Sequence, residues 1–469
     1  MEDNEKYRFD SEYFGKEFIG AYQFIYKHDY TYLANEIQLL TDYHANGSYE
    51  LLNKYVKIKD KQDYAYMIRT TDLEKMNFEN DVKYVSKTAY EFLSKTQLYG
   101  GELLINKIGN PGQVYIMPTL NKHITLGMNL FMFRLKEYTK LNNYYIYIFF
   151  NTYYGNKIIY RKINGAVPLT IDKEAIRSLP IPIFSNTFQL QIENLVKSSY
   201  QKLEDSKKLY KEAQNLLLKE LDLVDYKPSK EKIAIKNLSE SFGISGRLDS
   251  EYYQPKYDEI LEKIKKVEYD KLDNIVKIDK SVEPGSEAYQ DNGIPFIRVS
   301  NLTKFGLSKP EIHLSCNLFD SNTLEKLQPK KDTILLSKDG TVGIAYNIKE
   351  DTHIITSGAI LHLKIKKSKK DNILPEYLTL VLNSLLVQMQ SQRDAGGSII
   401  KHWKPSEIKE VLIPIIDIDK QKEIEEKIIE SFKLKNESQK FLDKAKEAVE
   451  IAIEQDENIA MEYIKNDKI

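Results

Sequence analysis

The sequence predicts an α+β protein with two pseudo-repeated mixed α/β domains, which are joined and separated by two long antiparallel coiled-coil helices. Three observations support this prediction: an internal repeat in four ordered blocks, a helical seam after each copy of the repeat, and short apolar segments bounded by turn residues elsewhere. A chain of 469 residues, 42% of them apolar, can bury more than one hydrophobic core.

The repeat begins at the entrance of each copy, where residues 8–14 (RFDSEYF) match residues 247–253 (RLDSEYY). The flanking arginine and tyrosine indicate a salt-bridged tether for the paired carboxylates of this block, rather than acid-base catalysis. Three further blocks follow in the same order, and their paired residues are Ile68-Arg69 with Ile297-Arg298, Lys107 with Lys338, Gly109 with Gly340, Gly112 with Gly343, and 181–183 with 413–415. The shared order of the blocks in both halves of the chain indicates a duplicated domain.

A long helix is predicted after each copy, because seam residues there recur at alternate steps of three and four. We predict a central spacer helix over 185–222 and a C-terminal spacer helix over 417–469, with N-caps at Thr187 and Asp419. The seam residues are Val196, Leu203, Tyr210, Leu217, Ile428, Leu442 and Val449. Serine and alanine alternate with them and favour a close antiparallel pair. The alternative is that each helix packs on its own domain.

The remaining segments are predicted as short strands with turns, over residues 30–180 and 269–412. Helical patterns interrupt the strands near 144–153 and 376–390. With the entrance segments, the first domain is predicted over 1–184 and the second over 247–416, with a polar linker over 223–246.

Bulk properties restrict the function class. The net charge of −1 excludes a global field that would concentrate a polyanion, so a nucleic-acid surface has to be local. The single cysteine, Cys316, excludes a disulfide framework and a cysteine zinc cluster. No signal peptide or membrane span is recognisable, and we expect a cytoplasmic protein that does not associate with membranes.

Common catalytic patterns are not found in the sequence: there is no phosphate-binding loop, nucleophile elbow, zinc-binding His-Glu-x-x-His or dinucleotide fingerprint. The seven histidines are scattered. We therefore predict no catalytic residue, no metal site and no cofactor in this chain.

Two pairs of polar segments are candidate DNA contacts. Arg69 and Arg298 each follow an apolar strand, and arginine and asparagine suit bidentate contacts with guanine and adenine. The glycine-containing loops 107–112 and 338–343 carry a lysine that can meet a phosphate or a guanine edge. The predicted DNA-binding residues are Arg69, Thr70, Lys107, Asn110, Arg298, Ser300, Asn301, Lys338, Asp339 and Thr341. The alternatives are an arginine paired with a carboxylate of its own domain, and a tight turn with a solvated lysine.

Together these features resemble the specificity subunit of Type I restriction-modification systems over essentially the whole chain. The residues that carry the resemblance are 247–257 (RLDSEYYQPKY), 293–300 (GIPFIRVS), 336–343 (LSKDGTVG), 396–400 (GGSII) and 412–415 (LIPI). The first copy departs from the pattern at 63–69 (DYAYMIR) and at Asn110-Pro111.

The resemblance implies two target recognition domains that bind an asymmetric bipartite site on double-stranded DNA, with the helix pair fixing the distance between the half-sites. It also implies two DNA methyltransferase (modification) subunits, which bring S-adenosylmethionine, and allows for a restriction/translocase subunit in phage defence. The alternatives from other classes are a stand-alone nuclease or methyltransferase with an unrecognised motif, and a coiled-coil scaffold that does not recognise DNA sequence.

Overall fold

A computed structural model describes residues 13–79, 81–165, 167–239, 241–397 and 399–466. The chain divides into two compact units. The first module consists of Met1–Leu203 and Asn436–Ile469, and the second consists of Glu204–Lys435. The entrance block at residues 8–12 lies outside the described residues.

The first module contains two four-stranded sheets and a two-stranded ribbon. The antiparallel sheet has the strand order Ile37–Asp42, Leu130–Leu135, Leu103–Asn106 and Val114–Ile116. The mixed sheet has the order Lys83–Val85, Ala65–Ile68, Ile124–Leu126 and Gln97–Leu98, with its two central strands parallel. The ribbon pairs Tyr30–Tyr32 with Pro180–Pro182. Both central strands Ala65–Ile68 and Leu103–Asn106 are buried throughout, as their apolar sequences require.

The second module repeats this arrangement. Its antiparallel sheet has the strand order Val276–Lys280, Ile360–Ile365, Ile334–Ser337 and Ala345–Asn347. Its mixed sheet has the order Tyr289–Gln290, His313–Leu314, Ile294–Ile297 and Ile355–Thr356, and the last two strands are parallel. Two ribbons pair Tyr269–Lys271 with Leu412–Pro414 and Leu302–Thr303 with Gly306–Leu307.

Helices cover the sheets in both modules. Those of the first module, besides the long helices, are Lys16–Ile25, Leu33–Glu36, Tyr49–Tyr55, Thr70–Glu74, Lys87–Phe92, Asn143–Phe150, Tyr153–Arg161, Lys173–Arg177 and Glu457–Asn466, with 3-10 turns at Tyr43–Asn46 and Ser94–Thr96. Those of the second module are Phe242–Ser245, Pro255–Ile264, Leu272–Ile275, Ser321–Leu327, Pro375–Leu382, Leu385–Asp394 and Pro405–Lys409, with 3-10 turns at Ser286–Ala288, Val299–Asn301 and Lys367–Lys369.

Two long helices, Asn186–Glu220 and Ile418–Glu454, each contribute one part to the first module and the other part to the second. In the first module Ser199 donates a hydrogen bond to the backbone oxygen of Ser438 at 2.8 Å, and the two hydroxyls lie 2.9 Å apart. In the second module Ser431 donates to the backbone oxygen of Ser206 at 2.8 Å. The helices are therefore antiparallel where they contact each other within each module, and the fold class predicted from the sequence is confirmed.

Most of the predicted seam residues are buried. Val196 and Val449 are buried in the core of the first module, and Tyr210, Leu217 and Ile428 are buried in that of the second. Leu203 and Leu442 are half-buried.

The helix ends differ from the sequence prediction. The predicted N-caps Thr187 and Asp419 are wrong by two residues, because the side chain of Ser185 accepts a hydrogen bond from the backbone N–H of Phe188, and that of Asp417 accepts one from Asp419. The C-terminal helix was predicted to run over 417–469, whereas it ends at Glu454. A new helix begins at Glu457, because the Asp456 carboxylate accepts the backbone N–H groups of Asn458 and Ile459.

Each of the two shorter helical patterns is broken into two helices. Asn151 and Asn383 stand at the breaks and use their side-chain amides to hold a neighbouring strand. The Asn151 amide donates to the backbone oxygen of Val114 at 3.0 Å, and the Asn383 amide donates to that of Ala345 at 2.8 Å.

An arginine anchors the entrance segment in both modules. The guanidinium of Arg161 lies 4.2 Å from the ring centre of Tyr13, and that of Arg393 lies 5.1 Å from that of Tyr252. In the second module Arg247 also forms an ion pair with Asp249 at 2.6 Å. The Asp249 carboxylate of the second copy therefore belongs to a tether, as the sequence indicated.

Candidate DNA interface

The two signature cations of each module stand at the ends of two strands, one in the mixed sheet and one in the antiparallel sheet. Arg69 follows Ala65–Ile68, and Lys107 follows Leu103–Asn106. Arg298 follows Ile294–Ile297, and Lys338 follows Ile334–Ser337. A strand end places a side chain at the rim of its sheet, where it can contact a ligand without disturbing the core.

The same backbone frame joins these strand ends in both modules. In the first module the Gly127 N–H donates to the Ile68 oxygen at 2.8 Å, and the Lys107 N–H donates to the Asn129 oxygen at 2.8 Å. In the second module the N–H groups of Ser357 and Lys338 donate to the oxygens of Ile297 and Ala359, at 2.8 and 2.9 Å. One short connection therefore fixes the arginine segment and the lysine loop of each module relative to each other.

The glycine loops also share their geometry. Gly109 and Gly340 have φ angles of +90° and +73°, which only glycine adopts without strain, and a side chain at either position would project into open space. A Cβ atom at Gly112 would lie 2.3 Å from Ile159. The first glycine of each loop is therefore open to a ligand, whereas Gly112 is required for packing inside its own module.

Arg69 is held by carboxylates of its own module. Its guanidinium donates to Asp72 at 2.7 and 3.2 Å, and it also donates to the backbone oxygen of Asp81. Asp72 is only 3% exposed. The hydrogen bond with Asp72 raises the pKa of Arg69 above its ordinary value. This is the alternative that the sequence left open, in which the arginine pairs with a carboxylate.

Arg298 has the same backbone environment but a different side-chain environment. The Asn301 side chain accepts the Arg298 backbone N–H at 3.1 Å, as Asp72 accepts that of Arg69 at 2.8 Å. Because Asn301 carries no charge, it cannot form an ion pair with the guanidinium. In the part of the chain that the structure describes, the exposed Arg298 side chain has no ion-pair partner, and it is available to an external acceptor.

The lysine of the first module's loop forms an ion pair with a buried aspartate. Asp42 contacts Lys107 and Lys173, each at 2.8 Å, and is 6% exposed. Burial alone would raise the pKa of Asp42, but the hydrogen bonds from the two lysines outweigh it, and the pKa lies below its ordinary value.

In the second module Lys280 occupies the strand position of Asp42. Both residues pair with corresponding positions on the next strand, Asp42 with Phe131 and Lys280 with Leu361. Lys338 instead contacts its neighbour Asp339, whose other oxygen lies 2.9 Å from Nδ1 of His402. The exposed Lys280 has no ion-pair partner among the described residues. The strand ends of the second module therefore hold two cations, Lys280 and Arg298, that are not neutralised.

A hairpin after Asn301 connects the Arg298 segment to both long helices within the second module. The Phe305 ring lies 4.9 Å from that of Tyr210 in an edge-on arrangement, and Lys435 donates to the Phe305 backbone oxygen at 2.8 Å. Burial lowers the pKa of Lys435 below its ordinary value. The segment that presents Arg298 is thus fixed to the helices of its own module.

Some of the other predicted contact residues are exposed, and some form hydrogen bonds within their own module. Asn110, Ser300 and Thr341 are exposed. Thr70 donates to the Asn106 side chain at 3.2 Å, and the Asn301 amide donates to Ser308 at 3.2 Å. Thr70 and Asn301 therefore stabilise their own loops, and their contact with DNA stays a prediction.

Metal sites and membrane-spanning helices are the other kinds of site that bear on function. Among the described residues, no group of three or more histidine, cysteine, aspartate or glutamate side chains could hold a metal ion. No helix within the same residues is long and apolar enough to cross a membrane.

The second copy of the repeat matches a known family. Residues 264–444 match the family described as Type I restriction modification DNA specificity domain. This segment is therefore a Type I DNA specificity domain. The match covers most of the second copy of the repeat, and the first copy carries the same blocks and the same backbone frame. The resemblance inferred from the sequence is therefore confirmed, and the chain is a DNA-recognition specificity subunit.

Solved structures of specificity subunits are similar over most of the chain at low identity. The S subunit of a Type I system from M. genitalium shares 12% identity, with a TM-score of 0.39 and coverage of 94% of this chain and 97% of that one. The HsdS subunit from Thermoanaerobacter tengcongensis shares 10% identity, with a TM-score of 0.28 and coverage of 94% and 97%. A chain from a study of complex assembly and conformational transition of the type I R-M system shares 10%, with a TM-score of 0.29 and coverage of 94% and 98%. No curated protein matches in sequence.

Sequence reasoning missed the residues of this specificity subunit that neutralise its cations. Asp72 stands three residues after Arg69, a spacing at which side chains meet in a helical turn, so its role could have been found. Asp42 lies 65 residues from Lys107, and no local pattern connects them. The difference between Asp42 and Lys280 becomes visible only when the strands are paired.

Proposed function

We propose that this specificity subunit recognises an asymmetric bipartite sequence on double-stranded DNA, with one half-site bound by each module, and has no catalysis of its own. The observation that carries the proposal is the duplicated frame of strand ends, which presents an arginine segment and a lysine loop twice. The groups around these cations differ between the modules, so the two half-sites should differ in sequence.

The chemistry would then belong to partner subunits. We expect two DNA methyltransferase (modification) subunits, which bring S-adenosylmethionine and flip the target base, and the arrangement allows for a restriction/translocase subunit that joins them. The complex would act in the cytoplasm, where its DNA substrate lies. This specificity subunit would direct those subunits to one sequence.

The long helices would act as a spacer. A helix of 35 residues is about 52 Å long at 1.5 Å per residue, which is on the order of one and a half turns of B-DNA. Serine hydroxyls rather than bulky side chains occupy two of the contacts between the helices, which favours a closely packed and stiff pair.

A methylation assay tests the proposed function. The purified chain, its modification partner and the co-purified complex are each incubated with S-adenosylmethionine and genomic DNA, and the products are sequenced for methylated bases. We expect one bipartite motif from the complex alone. Methylation or cleavage by the chain without its partner would contradict the non-catalytic role, and methylation by the complex without a motif would contradict sequence recognition.

A matched insertion tests the spacer role. One heptad inserted after Leu203 and one after Lys435 lengthens both helices by about 10 Å, which is the rise of about three base pairs. We expect the spacer between the half-sites to widen while both half-sites keep their sequence. An active complex with an unchanged spacer would show that the helices do not set the distance.

A further inference from the structure

The two modules differ in charge at the strand ends that carry their signature cations. In the first module Asp72 pairs with Arg69, and Asp42 pairs with both Lys107 and Lys173. In the second module Asn301 and Lys280 stand at the corresponding positions. Two aspartates in one copy are thus replaced by a neutral amide and a lysine in the other, within the same backbone frame.

We propose that the second module supplies the cationic contact with duplex DNA, through Arg298 and Lys280, and that the first module binds its half-site without its signature cations. This inference rests on the proposed function and adds to it an unequal division of the electrostatic affinity. Residue 301 acts as the determinant, because an uncharged amide there leaves the Arg298 guanidinium free.

The free-energy cost of breaking an ion pair to contact DNA explains why the two modules contribute unequally to the electrostatic affinity. If Arg69 turned towards a phosphate or a guanine, it would leave the Asp72 carboxylate buried and unpaired, which opposes the contact. Release of Lys107 would remove one of the two partners of the buried Asp42. Arg298 and Lys280 are exposed and make no ion pair among the described residues, so a contact with DNA does not require an ion pair to be broken.

The acidic group nearest in sequence to the second lysine loop does not alter this conclusion. Asp339 contacts Lys338 and His402, and within the described part of the chain it forms no ion pair with Arg298 or Lys280. The hairpin at Phe305 holds the Arg298 segment in place, so the side chain is presented from a fixed backbone rather than from a mobile loop.

The chemical class of the acceptor is an oxygen-rich edge of duplex DNA, either a backbone phosphate or the O6 and N7 atoms of a guanine, both of which a guanidinium can bind with two hydrogen bonds. Binding to a phosphate and binding to a guanine have different effects when the cation is removed. A variant that no longer binds a phosphate has weaker affinity for all sequences and a smaller salt dependence, whereas a variant that no longer binds a guanine relaxes one position of the half-site.

The experiment measures DNA binding by the complex of the full chain with its modification partner, over a range of salt concentrations, on the duplex that methylome sequencing identifies as its target. We expect Arg298→Ala to weaken binding roughly 5- to 100-fold. The double variant Arg298→Ala/Lys280→Ala should reduce the slope of log affinity against log salt by about 0.9 for each phosphate that the variant no longer binds. The matched variant Arg69→Ala/Lys107→Ala in the first module should change the slope by less than about 0.5.

The determinant role of residue 301 has its own variant. Asn301→Asp keeps an acceptor for the Arg298 backbone N–H, as Asp72 does for Arg69, and supplies a carboxylate to the guanidinium. It should weaken DNA binding as much as Arg298→Ala does, and the two changes together should weaken it no further. Asp72→Asn is the reciprocal variant, and it should free Arg69 and increase the salt slope.

Several outcomes separate the inference from the proposed function. If the pair of variants in the first module reduces the slope as much as the pair in the second, or if Asn301→Asp binds DNA like the wild type, the inference is overturned while sequence-specific recognition stands. If the wild-type complex has no preferred sequence, the proposed function itself fails. Thermal unfolding of each variant excludes misfolding, and Asp72→Asn gives an independent test if Arg69→Ala does not fold.

Discussion

Arg69 and Arg298 occupy the same position in two copies of one fold, and the residue three places later decides how each is used. Asp72 binds the guanidinium of Arg69, while Asn301 leaves that of Arg298 exposed. The backbone hydrogen bonds around both arginines are equivalent. Duplication has therefore preserved the frame that places the cations, and divergence has acted on the groups that neutralise them.

The largest expected contrast between the modules is in stability. Arg69→Ala leaves the buried Asp72 carboxylate without its guanidinium, and we expect a loss of about 2–4 kcal/mol in the free energy of unfolding of the first module, since Arg69 is itself partly exposed. Arg298→Ala removes an exposed side chain and should change stability by less than about 0.5 kcal/mol. Hydrogen exchange at Ala65–Ile68 and Ile294–Ile297 measures the two effects separately. Equal destabilisation by both variants would contradict the contrast.

A second contrast concerns pH. The pKa of Asp42 is lower in the folded chain than in an unfolded one, so its contribution to stability is present above about pH 4 and is lost as the pH falls through the folded pKa. Asp42→Asn should destabilise the first module by about 1–2 kcal/mol at pH 7. The difference in the free energy of unfolding between this variant and the wild type should shrink towards pH 3. Denaturant unfolding, monitored by hydrogen exchange, measures it. Lys280→Asn, at the equivalent strand position, should show no such pH dependence, and a constant difference for Asp42→Asn would argue against the ion pair.

The smallest effects are expected where the modules are alike. Ser199 with Ser438 and Ser206 with Ser431 form equivalent hydroxyl pairs between the long helices. Replacing both serines of either pair by alanine removes both partners together, so each double variant should cost no more than about 1 kcal/mol, and the two costs should agree. Thermal unfolding of the two variants checks this. A large difference between them would show that the helix contacts are not equivalent.

Features that depend on repetition or local periodicity were predictable from the sequence. The repeat located Arg69, Arg298 and both lysine loops at strand ends, and the seam spacing located the long helices. The helix starts were misplaced because the capping side chains, Ser185 and Asp417, precede the predicted caps by two residues. The helix breaks at Asn151 and Asn383 depend on strands that are distant in sequence, so no local pattern predicts them.

The charge environment of the candidate site was only partly predictable. Asp72 is close in sequence to Arg69, but its burial, which turns a surface pair into a fixed one, depends on the surrounding sheet. Asp42 reaches Lys107 and Lys173 across two elements, so a single sequence could not reveal the cluster. Which of the exposed side chains contact bases depends on the bound DNA, and those residues stay predictions.

The most direct test of the central claim, that each module recognises one half-site, is methylome sequencing of a complex in which residues 30–180 are replaced by those of a related specificity subunit. The account predicts that one half-site changes while the other half-site and the spacer length stay the same. A change in both half-sites, or in neither, from a complex that still methylates DNA would contradict it.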